Sequence, residues 1–251
     1  MLKPPICRMG GKSRLRKTII EMIPEHKCYV ELFFGAGWVY FGKEKSKVEV
    51  INDIDKELIN LFKMIKYHSP EIERMLEYEF SGRDIFEEYK NYNVEYLTEI
   101  HRAIRFLYLI KQSFGGKGDH YGYGTTKKPS QQIFYKGILE ELRERLRNTY
   151  VENLSFEKVI DKYDREYTFL FIDPPYFETT GYKDKFTKED HLLLRDKLIN
   201  LKGKFLLTIN DHKETREWYK DFNIKEVEVN YSVSKTKKDK QKYKELIITN
   251  Y

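Results

Sequence analysis

The chain has 251 residues, 40% hydrophobic and 34% charged, which suits one catalytic domain carrying an insert better than two independent domains. Lys and Arg total 46 against 40 for Asp and Glu, so the formal charge is +6, an excess that favours a polyanionic partner without naming one. No stretch approaches the roughly 20 apolar residues of a membrane span and no secretory leader pattern appears, so a cytoplasmic protein is expected. Cys7 and Cys28 fit neither a disulfide framework nor a zinc spacing.

In chain order, the first helical pattern covers residues 13–22 and is preceded by Met9-Gly10-Gly11-Lys12. Two glycines followed by Lys and Ser resemble the end of a phosphate loop, but Ile6 stands where that loop needs glycine. Lys12 can instead neutralise the carboxylate of a methionine moiety. Residues 29–33 then read as a buried strand, and Phe34-Gly35-Ala36-Gly37 follows it. Glycines at that turn let the backbone approach a ligand closely. The continuation Trp38-Val39-Tyr40 lacks the third glycine of the dinucleotide fingerprint, which argues against NAD and its pyrophosphate. S-adenosylmethionine has no phosphate to cradle.

Residues 48–51 form a second strand pattern, ending at Asn52-Asp53. A carboxylate there can accept both ribose hydroxyls of an adenosine ligand. The alternative is that Asp53 or Asp55 caps the helix expected over residues 56–66. From about residue 80 to residue 150 strand signals vanish; helical patterns at 96–111 and 132–147 flank a loop rich in Gly and aromatics over 113–128. We expect an inserted helical subdomain at 80–148, within a main domain made of 1–79 and 149–251.

Residues 168–172 give a third strand, with Asp173-Pro174-Pro175-Tyr176 directly after it. A helix is expected over 188–201, with Leu192, Leu193, Leu194, Leu198 and Ile199 as its apolar stripe, then a strand at 204–209. Residues 224–231 and 243–251 suggest a closing antiparallel hairpin joined by a Lys-rich run. Strands alternating with helices imply an α/β fold with a mainly parallel, Rossmann-like sheet and an antiparallel C-terminal hairpin.

The tetrapeptide after the third strand suits methylation of an aromatic amine, whose lone pair is delocalised into its ring. Asp173 and the Pro174 carbonyl can accept the two N–H bonds and draw the nitrogen toward tetrahedral geometry, with no metal required. Pro175 rigidifies the turn, and Tyr176 offers a face on which a flipped base stacks, worth roughly 1–3 kcal/mol per base. An isolated Pro-Pro that merely ends a strand is the plainer alternative. It loses here because a glycine turn and a spaced acid stand in the same chain.

These residues together resemble the DNA adenine methylase (Dam) family of N6-adenine DNA methyltransferases, over nearly the whole chain. Met9 to Lys12 resembles the family's Gly-Gly-Lys segment, residues 29–37 its glycine-turn motif, and Asn52-Asp53-Ile54-Asp55 its acidic partner. Asp173 to Tyr176 matches its Asp-Pro-Pro-Tyr, Phe186 to His191 is similar to the opening of the helix after the catalytic loop, and residues 244–251 are similar to its closing strand. Arg8 stands where the family often has an aromatic beside the cofactor, and Leu32 where proline is common. Phe156 is the candidate to supply that aromatic contact.

The resemblance implies an S-adenosylmethionine site drawn from Arg8, Met9, Gly10, Gly11, Lys12, Glu31, Phe33, Gly35, Gly37, Asp53, Ile54, Phe156 and Asp173, with S-adenosylhomocysteine as product. It also implies that the insert recognises double-stranded DNA. Lys111, Ser113, Lys117, His120, Tyr121, Lys127 and Lys128 in the insert are the candidate DNA contacts, with Lys235, Lys237, Lys238, Lys240 and Lys242 as a second basic surface. A mobile solvated loop is the plainer reading of any one of them. Transfer to cytosine N4 or to an RNA base remains an alternative, as does an inactive nucleic-acid-binding module. A monomer is the default expectation.

Overall fold

The computed structural model describes residues 1–8, 10–125, 137–178, 186–230 and 242–251. In chain order its strands are β1 (Cys28–Glu31), β2 (Val48–Asn52), β3 (Thr149–Glu152), β4 (Thr168–Ile172), β5 (Lys204–Asn210), β6 (Asn223–Asn230) and β7 (Lys242–Thr249). Its α-helices are α1 (Arg16–Met22), α2 (Lys56–Leu76), α3 (Arg83–Asn91), α4 (Glu99–Gln112), α5 (Ile138–Leu146), α6 (Phe156–Tyr163), α7 (Lys188–Ile199) and α8 (Lys213–Trp218). Two compact units emerge, one from residues 1–13, 35–44 and 55–153, the other from 14–34, 45–54 and 154–251. No helix among the described residues is long and apolar enough to cross a membrane.

The second unit holds a sheet with strands in the order β2-β1-β4-β5-β7-β6. The pairs β1–β2, β1–β4 and β4–β5 are parallel, while β5–β7 and β6–β7 are antiparallel. The expected parallel sheet with an antiparallel hairpin is therefore present. Strands of a parallel sheet are covered on both faces, which is why β1 and β4 are buried at every position. Register places Glu31 beside both Ile51 and Phe171, so the carboxyl ends of β1, β2 and β4 form one edge. Brought between β5 and β6, β7 buries Leu246, Ile247 and Ile248 completely.

One face of this sheet carries α6 and α7 over a core that includes Val30, Leu170, Phe205, Val159 and Leu198. The stripe expected on α7 is corrected here: its buried side chains are His191, Leu194 and Leu198, whereas Leu193 and Ile199 are 42% and 57% exposed. Three-and-four spacing selects 191, 194 and 198 for the inward face and leaves 193 and 199 outside it. A histidine thus occupies a core position that residue type alone did not suggest.

In the first unit, α2 packs against α4 and α5. It runs ten residues beyond the expected end at 66, across a non-helical His68 (φ −136°, ψ 28°) just before Pro70. The missing N–H of Pro70 is tolerated because the kink makes it an early position of a restarted helix. The Asn60 amide donates to the Glu99 carbonyl at 2.8 Å and ties α2 to the start of α4. Two elements absent from the sequence reading, β3 and α3, are short, and α3 buries only Phe86.

Candidate active site

Asp173 leaves the carboxyl end of β4, and β5 holds it from the side. Thr208, fully buried on β5, donates from Oγ1 to Asp173 Oδ1 at 2.8 Å. Two residues further along β5, and so on the same strand face, Asn210 grips the backbone beyond the tetrapeptide. Its amide nitrogen donates to the Phe177 carbonyl at 3.0 Å, and its Oδ1 accepts from the Phe177 N–H at 3.1 Å. Between these clamps Pro174 is buried, and the Tyr176 hydroxyl donates to Glu245 Oε2 at 2.6 Å.

The Phe177 ring is boxed by His191, His212 and Trp218 at centroid distances of 5.9, 5.3 and 4.9 Å. Next comes Glu178 at φ 56°, the one non-glycine residue with positive φ among the described residues. A side chain in that region costs of order 1–3 kcal/mol and persists where its surroundings over-determine it. The paired Asn210 bonds at Phe177 provide that restraint.

A second cluster stands where β1 and β2 end. Asn52, 1% exposed, donates to the carbonyls of Leu32 at 3.0 Å and Leu154 at 3.1 Å, and accepts from the Leu154 N–H at 2.9 Å. It joins the turn after β1 to the segment opening α6, where Phe156 packs against Phe33 at 5.9 Å and Phe186 at 5.5 Å. Glu31, 2% exposed, accepts from the Tyr29 hydroxyl at 2.7 Å. Asp53 is half-buried and Ile54 is 53% exposed. The two readings of the acidic pair separate: Asp55 caps α2, accepting from the N–H groups of Glu57 and Leu58, so Asp53 is not needed for that task.

In the first unit, Gly10 has φ 78°, and a Cβ on Gly11 would stand 3.0 Å from the Trp38 indole. Lys12, 4% exposed, donates to the Gly10 carbonyl at 2.9 Å. Arg8 pairs with Asp55 at 3.0 Å, so the residue that replaces the family's aromatic braces the capping carboxylate. Gly35 and Gly37 both have positive φ, at 51° and 74°, and a Cβ on Gly35 would meet nothing within 4 Å. Met9 lies outside the described residues.

The loop after α4 is closed rather than open. Ser113 and Tyr121 form an antiparallel bridge, and the Phe114 N–H donates to the His120 carbonyl at 3.0 Å. The Ser113 hydroxyl donates to the Ile110 carbonyl at 3.1 Å and accepts from the Gly118 N–H at 2.8 Å, so it shapes the loop. Gly116 is required: a Cβ there would fall 2.4 Å from the Cys7 carbonyl oxygen. Lys117 and His120 are exposed. Lys111 is half-buried, and burial pulls its pKa below the usual lysine value. The sequence reading missed Arg83, whose guanidinium lies 5.3 and 5.1 Å from the rings of Tyr121 and Tyr123. Lys127, Lys128, Lys235, Lys237, Lys238 and Lys240 lie outside the described residues.

The model of the D12 class N6 adenine-specific DNA methyltransferase family matches residues 9–233, nine-tenths of the chain. The chain belongs to this family. Among its relatives, a type II methyltransferase M1.LlaDCHI of Lactococcus lactis subsp. cremoris is 30% identical, over 100% of this chain and 96% of the relative. The type II methyltransferase M.MjaIII of Methanocaldococcus jannaschii is 29% identical, over 100% and 99% respectively. A DNA adenine methylase of Escherichia coli is 27% identical, over 95% and 91%. The family match spans the glycine turn, Asp53, Asp173 to Tyr176 and the clamp residues Thr208 and Asn210 of this D12 class enzyme. Among the described residues, no group of three or more His, Cys, Asp or Glu is arranged to hold a metal ion.

Proposed function

We propose that this adenine-specific DNA methyltransferase moves the methyl group of S-adenosylmethionine to N6 of an adenine turned out of double-stranded DNA. The observation that supports this best is the bracing of the 173–177 turn by Thr208 and Asn210. It holds a carboxylate and an aromatic ring in fixed relation at the edge where open α/β sheets take ligands. The residues suit the methyl donor: Gly35 leaves the room a Cβ would fill, and Asp53 is not needed for helix capping.

S-adenosylmethionine, when bound, supplies an electrophilic methyl group on a sulfonium. In this reading Asp53 accepts from its ribose hydroxyls, Phe33 and Phe156 pack on its adenine, and Lys12 balances its carboxylate. Glu31, Ile54, Arg8, Met9, Gly10, Gly11, Gly35 and Gly37 complete its surroundings. Asp173 and the Pro174 carbonyl accept from the target amine and turn its lone pair toward the methyl group. Pro175 stiffens the turn, and Tyr176 stacks on the extruded base, offsetting part of the few kcal/mol that unstacking costs.

Residues 80–148 are the proposed DNA-recognition segment, with Lys111, Ser113, Lys117, His120, Tyr121, Lys127 and Lys128 at the duplex and Lys235, Lys237 and Lys238 as a second surface. Lys117, being exposed, outranks the half-buried Lys111 as a phosphate partner. Lys117→Gln is expected to reduce the slope of log affinity against log salt by about 0.9, the value for one released counterion on duplex DNA. An unchanged slope in a fluorescence-anisotropy titration removes this contact.

The reading as a whole is tested with isotopically labelled S-adenosylmethionine and unmethylated duplex DNA or RNA, the products digested to nucleosides. Label in N6-methyladenine of duplex DNA is the expected outcome. Label in N4-methylcytosine or only in RNA overturns the substrate. No transfer and no calorimetric binding of the donor overturns the enzyme reading in favour of a binding module.

A further inference from the structure

The carboxylate of Glu245 presents a physical problem. It is 1% exposed on β7, next to three fully buried apolar residues, Leu246, Ile247 and Ile248. Burying an ionised group in such a place is costly unless hydrogen bonds compensate it. An apolar side chain would satisfy the sheet at that position equally well.

Register shows what the carboxylate reaches. Glu245 lies opposite Asn210 on β5, on a strand pair that runs antiparallel. Thr208 and Asn210, on one face of β5, hold residues 173 and 177. Glu245 also contacts this turn, accepting from the Tyr176 hydroxyl at 2.6 Å. Two adjacent strands therefore hold residues 173, 176 and 177, and the middle contact is the one that acts on a ring.

The Tyr176 ring packs against the core cluster of the sheet while remaining half-buried. A tyrosine ring without a distal anchor can rock about χ1 and χ2, which displaces the face it offers. A hydrogen bond at the hydroxyl, the far end of the lever, restrains that motion. Stacking on a base depends on the plane of the ring, and a near-attack geometry tolerates little displacement.

We propose that Glu245 is a positioning residue for methyl transfer, acting through the Tyr176 hydroxyl to fix the plane on which the target base stacks. This rests on the reading of Tyr176 as the stacking residue. In this role Glu245 accepts the Tyr176 hydrogen bond and exchanges no proton with substrate.

The test compares Glu245→Leu, Glu245→Gln, Tyr176→Phe, Tyr176→Ala and the Tyr176→Phe/Glu245→Leu pair. The readouts are single-turnover methyl transfer and the fluorescence of 2-aminopurine placed at the target position. Glu245→Leu and Tyr176→Phe are each expected to slow transfer about tenfold, the scale of one hydrogen bond to a charged group, with donor affinity unchanged. The pair should be no slower than either single variant, because both remove the same contact. Glu245→Gln retains an acceptor oxygen and should recover most of the loss.

Transfer by Glu245→Leu within twofold of wild type, or losses that multiply in the pair, overturn the proposal. If Glu245→Leu does not fold, Tyr176→Phe decides alone, because it removes the hydroxyl without touching β7; full activity there is equally fatal. An active Tyr176→Ala instead overturns the stacking reading on which the proposal rests. An inactive Tyr176→Ala beside a fully active Glu245→Leu overturns the role of Glu245 only.

Discussion

Asp173→Ala is expected to lower the rate of methyl transfer on the order of 10³-fold, the scale on which removal of one preorganised polar group at a reacting centre is felt. The target nitrogen begins as a weak nucleophile and gains positive charge as the new bond forms. A carboxylate accepting its N–H both turns the lone pair and stabilises that charge, so its effect is greater in the transition state than in the ground state. Donor affinity should change much less, since in the proposed reading the carboxylate mainly serves the amine. Asp173→Asn retains an acceptor but not the charge, and should fall between wild type and Asp173→Ala. Thr208→Val keeps the carboxylate and removes only the hydroxyl that orients it at 2.8 Å, so a loss of about tenfold is expected. Rapid-quench single-turnover assays with calorimetry of the donor check the series. Asp173→Ala within tenfold of wild type, or a Thr208→Val loss larger than that of Asp173→Ala, defeats this assignment.

That hierarchy also explains why part of the site could be read from sequence and part could not. Buried strands of a parallel sheet are written as apolar runs, so β4 is found at its observed bounds and β1, β2 and β5 within two residues. The tetrapeptide is contiguous and follows one of these runs directly. Its supports have no such local pattern: Thr208, Asn210 and Glu245 lie 35, 33 and 69 residues from their partners. They meet those partners only because β5 pairs with β4 and β7 pairs with β5. Asn52 stood next to a recognised acid, but its role as a three-bond clamp depends on Leu154, 102 residues away. The short elements β3, α3, α6 and α8 lacked the length over which hydrophobic periodicity can be recognised. Conversely, the choice between Asp53 and Asp55 as cap needed two backbone N–H positions that composition does not contain.

Acid should destabilise the second unit through His191. The imidazole is 0% exposed, and neither ring nitrogen has a hydrogen-bond partner among the described residues. Aromatic rings surround it: Phe186 at 4.6 Å, Trp218 stacked at 5.6 Å and Phe177 at 5.9 Å. Desolvation in this box pushes its pKa down to about 4, with the nearby Asp190 opposing the shift. Above pH 6.5 the ring is neutral in folded and unfolded chains alike and contributes no pH dependence. Between 6.5 and 4 the unfolded chain takes up the proton and the folded one resists it, so stability falls as pH falls. The full window corresponds to about 3 kcal/mol, and below pH 4 this contribution is constant. His191→Leu removes the titration while keeping the volume apolar. The stability of that variant relative to wild type should therefore rise by about 3 kcal/mol as pH is lowered from 7 to 4, measured by urea denaturation at each pH. Parallel pH profiles for the two proteins refute the burial argument. Because Phe177 borders the same box and follows Tyr176 directly, protonation of His191 should loosen the proposed catalytic turn as well. Transfer activity is then expected to fall faster in wild type than in His191→Leu as pH approaches and passes about 4, where the folded ring takes up its proton.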